Sequence, residues 1–447
     1  MKSLSKLSKT LKDIFQNSTQ KDEIGLVNLW KEFLPLSLSD VTMACGDPLI
    51  TTTLAHLPDA RSNLAAIGIA KALAVFFESP IIMILHAANA LAPQKASRQA
   101  LWRFVLLAGG GLSLLLGIVA LPNVFSLLGS NILGVPAELS QIVGQVLLVM
   151  CLWPFTIAWR RYFQGLLIYH GNSRAVAQAS ILRLGAVGIL LTIGFSIQMS
   201  GFLLAGITLI FGVIVEAIAV TIAARRCGAT LPPPQREDLP KLPHNLPQVW
   251  RFYWPLANSM LVVWGGRAIL VGILARSQDA SIALAAWPAA WGLVLVIANS
   301  TRMVQQIIIK YRGKVSNRLL MIFALTVGGL CSSLLLLTST TGVGDRIIQS
   351  FIGNDLELVN SIKPILLLCV GVPLLVALQN ATQGFLVGEG RTGRVNQATW
   401  IGTTVLLSIA FVAVQLKLSG GVAAAIAMVS SIFIEVACLI MKRRSVA

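Results

Sequence analysis

Nine ionisable side chains fall in stretches otherwise too apolar to meet water: Asp40, Asp47, Lys71, Glu78, Arg183, Glu216, Arg267, Arg302 and Glu435. A charge at the centre of a bilayer costs at least about 2.5–3.5 kcal/mol, so such residues face a partner or a water-filled cavity and mark ion or substrate pathways. Lys71, Arg183, Arg267 and Arg302 offer cationic contacts for a phosphate or carboxylate, the arginines through a planar two-pronged donor edge. The carboxylates Asp40, Asp47, Glu78, Glu216 and Glu435 suit the carriage of a coupling ion, or gating by making and breaking ion pairs.

Depth sorts these residues into layers. At ~1.5 Å per helical residue, Asp40 lies about 10 Å and Asp47 about 20 Å from the inner end of the first hydrophobic stretch. Gly46-Asp47 returns in the second half of the chain as Gly266-Arg267, so opposite charges occupy matching places. They can pair with each other, or Arg267 can serve an anionic ligand. Lys71 reaches a similar depth. Asp40, Glu78, Arg183, Glu216 and Glu435 form a second layer, with Arg302 nearer the inner interface, in the polar run Asn299 to Gln306. Arg160 and Arg161 end a hydrophobic stretch, where long stems can carry charge out to lipid headgroups or form a basic lip to the cavity.

That match is part of a longer repeat. Trp30-Lys31-Glu32-Phe33-Leu34-Pro35-Leu36 returns at the same offset as Trp250-Arg251-Phe252-Tyr253-Trp254-Pro255-Leu256. Gln164-Gly165, Gly171, Gly201 and Glu216 return, at an offset shorter by one, as Gln383-Gly384, Gly390, Gly420 and Glu435. A duplicated hydrophobic unit is the signature of a secondary transporter, with its binding site where the copies meet.

With 55% hydrophobic and 12% charged residues and a mean hydropathy of +0.78, the chain departs far from the roughly 25% charge of a soluble domain. Hydrophobic stretches long enough for a bilayer are predicted at 33–57, 64–92, 101–128, 140–168, 175–198, 202–224, 250–275, 280–309, 317–341, 361–388, 395–416 and 419–441. The expected fold is all-α and polytopic, with twelve transmembrane helices in two parallel six-helix repeats. Its expected divisions are a cytoplasmic tail (1–29), a bundle (30–227), a proline-rich linker (228–249) and a second bundle with a short basic tail (250–447). Leu4, Leu7, Leu11 and Phe15 give the tail helical spacing, open to an interfacial helix or a frayed end. Pro35, Gly46, Pro48, Pro80, Pro154, Pro255, Pro288 and Pro373 lie at mid-depth in the predicted helices, as tolerated kinks or as points that bend at the cavity during alternating access, and there freed backbone groups need protein or water.

The net charge of +17 gathers in alternate loops, around Lys95, Arg98 and Arg103; Arg225, Arg226 and Lys241; Lys310, Arg312 and Lys314; Arg391 and Arg394; and Lys442 to Arg444. That distribution is the positive-inside rule. It argues against a nucleic-acid partner and places both termini in the cytoplasm of a protein in the cell membrane. The six cysteines are scattered, with no CxxC pair, and read as small apolar residues. No P-loop, HExxH or GxSxG occurs, so the expectation is a non-enzyme with no cofactor or metal, driven by a gradient.

Two six-helix bundles with a middle linker resemble the MATE fold of the multidrug/oligosaccharidyl-lipid/polysaccharide (MOP) exporter superfamily. More narrowly, the chain resembles the progressive ankylosis family. That likeness rests on Trp254-Pro255-Leu256-Ala257 with Arg267 and Arg276; Gly68 with Phe76-Phe77 and Pro80; Pro154-Phe155 with Gly165; and Gly421 through Glu435 into the basic tail. Asp47 matches that family's acidic residue after glycine in the first helix. The resemblance implies export of small polyanions such as pyrophosphate, nucleotides or citrate by a monomer among membrane lipids, with a proton or sodium ion as coupling partner. A cation-coupled multidrug antiporter and a lipid-linked precursor flippase are the alternatives within the superfamily. The first should show an acidic, aromatic-lined cavity, and aromatics are only 7% of the chain.

Overall fold

The computed structural model describes residues 25–131, 137–231, 242–274, 276–342, 346 and 356–444. The spacing of Leu4 to Phe15, and the linker from Pro232 to Lys241, lie outside the described residues. In chain order the helices are α1 (Leu26–Ala44), α2 (Gly46–Ala55), α3 (Ala60–Glu78), α4 (Ile84–Leu91), α5 (Lys95–Val119) and α6 (Pro122–Asn131). Then come α7 (Ala137–Val149), α8 (Trp153–Tyr169), α9 (Ser173–Ser196), α10 (Gly201–Arg226), α11 (Leu246–Leu274) and α12 (Ala280–Ala298). The last six are α13 (Val304–Tyr311), α14 (Asn317–Thr340), α15 (Leu356–Leu368), α16 (Val372–Gly388), α17 (Thr392–Gln415) and α18 (Gly420–Arg444).

Among the described residues, eleven helical segments are long and apolar enough to cross a membrane. They include four interrupted ones: α3–α4, α7–α8, α12–α13 and α15–α16. The first predicted helix, 33–57, is instead two pieces. α1 and α2 meet at Cys45, where Gly46 opens α2 and Pro48 falls in its first turn, a place that needs no N–H. Breaks also fall at Pro80, in a 3₁₀ turn, and just before Pro154 and Pro373, which begin α8 and α16. Pro35, Pro255 and Pro288 do not break their helices. Leu107, Leu114, Ile189 and Phe411 are 57–68% exposed, surface that only a bilayer can solvate in such number. This is a multi-pass membrane protein.

The repeat is visible in local contacts. The start of α8 leaves backbone donors unpaired, and the Phe155 amide donates to Ser113 Oγ on α5 at 2.9 Å. At the start of α16 the Leu374 amide donates to Ser332 Oγ on α14 at 3.1 Å; both partners are the repeat equivalents of the first pair. Gly165 lets α8 approach α4, since a Cβ there would stand 2.5 Å from Ala88 Cβ. Its counterpart Gly384 meets α13 the same way, 2.9 Å from Ile308 Cβ.

The chain forms two compact units. The early unit holds Leu38–Ile269 and Gly390–Thr403; the late unit holds Leu270–Glu389, Thr404–Ala447 and the described part of Met1–Ser37. The late unit is cored by Leu270, Trp287, Val294, Ile365, Leu406 and Met428. In the early unit, the buried Arg98 on α5 fixes the chain after α10, donating to the carbonyls of Ala92, Ala229 and Leu231 at 2.6–2.9 Å.

Candidate functional site: a buried arginine–glutamate network

Helical spacing delivers polar groups to one place in the early unit. Arg160 and Gln164 are one turn apart on α8, and Ser180 and Arg183 are three positions apart on α9, so each pair shares a helix face. Between them stands Glu216 of α10, fully buried. Its Oε2 accepts from Arg160 Nη1 at 2.5 Å and Arg183 Nη1 at 3.2 Å. Its Oε1 accepts from Gln164 Nε2 and Ser180 Oγ, each at 3.0 Å. A buried carboxylate survives only when its lone pairs are satisfied and its charge is matched, and four donors do both here.

The network reaches α1. Ser39 Oγ lies 2.6 Å from Ser180 Oγ, and Arg160 Nη1 also contacts Met43 Sδ at 3.3 Å. Two guanidiniums face this one carboxylate. Arg160 is 1% exposed and its Nε has no hydrogen-bond acceptor, whereas the Arg183 side chain is 12% exposed. The network therefore has a sealed end at Arg160 and a reachable end at Arg183.

Glu78, at the end of α3, accepts from Trp153 Nε1 at 2.9 Å. Glu435 on α18 accepts from Gln383 Nε2 at 3.2 Å. Asp40 follows Ser39 on α1 and is half-buried, as is Lys71 on α3. Arg267 on α11 is half-buried, its guanidinium 5.3 Å from the centroid of the Trp264 ring. Asp47 lies in α2. Arg302 sits exposed in a 3₁₀ turn, Asn299–Met303, while Thr301, Gln305 and Gln306 around it are buried.

Comparing the repeats exposes an asymmetry. Gln164 and Glu216 are matched by Gln383 and Glu435, and that hydrogen bond recurs. At the same offset, the places matching Arg160 and Arg183 hold Gln379 and Gly402. The first repeat thus answers its carboxylate with two arginines, and the second holds no arginine at the matching places.

Arg160 and Arg161 correct the expectation of headgroup snorkelling. They are buried, 1% and 6% exposed: Arg160 meets Glu216 on a neighbouring helix, an anion that a single helix cannot reveal, and Arg161 Nη1 donates to Gln164 Oε1 at 3.5 Å. The available signal was spacing: Arg160 stands one turn from Gln164, a residue already marked by the repeat. Sequence reasoning also missed Glu32 at the start of α1, which accepts from Lys310 Nζ and, at 2.7 Å, from Tyr311 Oη. Among the described residues no group of three or more His, Cys, Asp or Glu is placed to hold a metal ion.

No protein-family profile matches the chain, and no curated protein matches it by sequence. Solved structures do. A MOP superfamily transporter from Pyrococcus furiosus superposes with a TM-score of 0.75 at 14% identity, covering 96% of this chain and 97% of its own. A multidrug resistance MATE transporter in an outward-facing conformation gives 0.73 at 15%, covering 94% and 95%. A eukaryotic MATE transporter gives 0.71 at 14%, covering 94% and 96%. The likeness defines the fold as all-α, polytopic and of the MATE type, a fold of twelve membrane-spanning helices in two repeats.

Proposed function

We propose that this protein is a secondary transporter that works by alternating access and carries a small anionic substrate, bearing phosphate or carboxylate groups, out of the cytoplasm. The observation that supports the anionic reading is the Arg160–Glu216–Arg183 group: two guanidiniums meet one carboxylate, and Arg183 is the one within reach of solvent. An arginine edge pairs with a carboxylate or phosphate through two parallel hydrogen bonds. Lys71, Arg267 and Arg302 are the further cationic contacts, and Asp40, Asp47, Glu78, Glu216 and Glu435 the gating or ion-coupling set. Pyrophosphate, nucleotides and citrate, the substrates implied by the progressive ankylosis resemblance, carry the required groups. The reading places both termini in the cytoplasm, divides the chain into six-helix bundles at 30–227 and 250–447, and takes the protein as a monomer in the cell membrane.

A second reading has a specific support. One structural neighbour is a multidrug resistance transporter, and a multidrug antiporter would use the carboxylates to bind an organic cation. The Pyrococcus furiosus neighbour is described as having a binding pocket of reverse polarity that suggests a different function, so pocket charge differs among proteins of this fold. Uptake of radiolabelled citrate, pyrophosphate and an organic cation into proteoliposomes separates the two readings: anion uptake supports the first, cation uptake alone the second.

A further inference from the structure

The first helix of each repeat is held by residues of the opposite repeat, and the two contacts differ in kind. At the start of α11, Trp250 and Tyr253 pack on Phe104 of α5, with ring centroids 5.8 and 4.8 Å apart. Tyr253 Oη donates to the Pro80 carbonyl at 2.8 Å. At the start of α1, Trp30 and Phe33 pack edge-on against Phe323 of α14, at 5.6 and 5.4 Å. Phe323 is the repeat equivalent of Phe104, and Trp30 and Phe33 match Trp250 and Tyr253. The aromatic seat is therefore duplicated.

The polar part is not duplicated. Beside the α1 seat, Glu32 accepts from Lys310 Nζ and Tyr311 Oη. The matching positions on the other side are Phe252, Ala90 and Leu91, which are all apolar. The Lys310 side chain is 6% exposed and that of Glu32 is 19% exposed. A buried ion pair is a poor way to add stability, since apolar residues of similar volume do as well, and its best-attested use is to specify one arrangement over another. One seat is thus uncharged, its polar contact a neutral Tyr253 hydrogen bond, while its twin carries charges that water can solvate when they part.

We infer that Glu32, Lys310 and Tyr311 form a releasable latch, a gating contact that holds the start of α1 on the second repeat in one state of the transport cycle and lets it go in another. The inference rests on the transport reading above, in whose topology this end of α1 is cytoplasmic. Glu32 becomes a gating residue in addition to the carboxylates deeper in the membrane.

The test follows the seat itself. In full-length protein whose six cysteines are replaced by serine or alanine, reconstituted in liposomes, Phe323→Cys reports access to the buried seat through a membrane-impermeant maleimide. With the latch intact labelling is slow. Glu32→Gln and Lys310→Met each speed it about ten-fold or more by shifting the population towards the open seat, and the exchange Glu32→Lys with Lys310→Glu brings it back. Equal labelling in all four proteins overturns the latch. Should a single variant fold poorly, a Glu32→Cys/Lys310→Cys disulfide replaces it. Oxidation then stops citrate transport and reduction restores it, whereas transport unaffected by oxidation overturns the latch. Labelling requires no substrate, so the expected labelling pattern without transport of any tested solute keeps the latch and refutes the transport reading.

Discussion

The Glu216 carboxylate and the Arg160 guanidinium meet at 2.5 Å with side chains 0% and 1% exposed, while the place matching Arg160 in the second repeat holds the uncharged Gln379. Two copies of one six-helix plan have thus diverged where charge is buried. The aromatic seats, the serine bonds at Ser113 and Ser332 and the glycine approaches at Gly165 and Gly384 stayed alike.

That divergence predicts unequal stability effects. Glu216→Gln takes the anion from the buried Arg160 guanidinium and destabilises the protein by about 3–5 kcal/mol, the range for breaking a buried pair from one side. Glu435→Gln, with no arginine at the two matching positions, is expected to be milder by at least about half of that. Thermal unfolding in detergent measures both. Equal losses would contradict the assigned asymmetry.

The close approach of α8 to α4 predicts a second ranking. A Cβ at Gly165 would lie 2.5 Å from Ala88 Cβ and 2.7 Å from the Leu85 carbonyl oxygen, whereas at Gly384 the nearest atoms are at 2.9 and 3.0 Å. Gly165→Ala should therefore lower stability by about 1–3 kcal/mol, the usual range for overpacking, and Gly384→Ala by less. The same thermal measurement decides it, and a reversed order would refute the geometry.

Much of this architecture is legible in the sequence. Duplication, helix number and the breaks at Pro80, Pro154 and Pro373 follow from local chemistry: apolar length, a missing N–H and a constant offset. Pro35, Pro255 and Pro288 were not legible as unbroken, because packing and side chains decide whether a proline ends a helix in a membrane. Arg160 and Glu32 were missed for one reason. Each is defined by a partner far along the chain, Glu216 for Arg160 and Lys310 for Glu32, and no helix periodicity encodes such a pairing. Arg183 and Glu216 were found because lone charges in apolar runs stand out without knowledge of their partners.

Arg267 offers a test between two roles. With its guanidinium 5.3 Å from the Trp264 ring centroid, it has a fixed platform from which to meet an anion. Arg267→Ala should weaken apparent substrate affinity about ten-fold or more, with Arg267→Lys recovering part, because an ammonium lacks the planar fork. Measured transport kinetics check this. Restoration of wild-type transport by the exchange Asp47→Arg with Arg267→Asp would show instead that the two residues serve each other.

The topology predicts sidedness. Lys95 and Asp59 are both exposed and lie at opposite ends of the α3–α4 segment. Cysteine at Lys95 should label with an impermeant maleimide only from the cytoplasmic side, and cysteine at Asp59 only from outside. Opposite labelling would invert the orientation proposed from loop charge.

The most direct test of the central claim concerns Arg183. Because Arg160, Gln164 and Ser180 still face Glu216, Arg183→Ala should fold and reach the membrane. In proteoliposomes, wild-type protein should transport radiolabelled citrate or pyrophosphate, Arg183→Ala should lose about ten-fold or more of that rate, and Arg183→Lys should recover part of it. Anion transport unchanged by Arg183→Ala, or transport of the organic cation alone, would contradict the account.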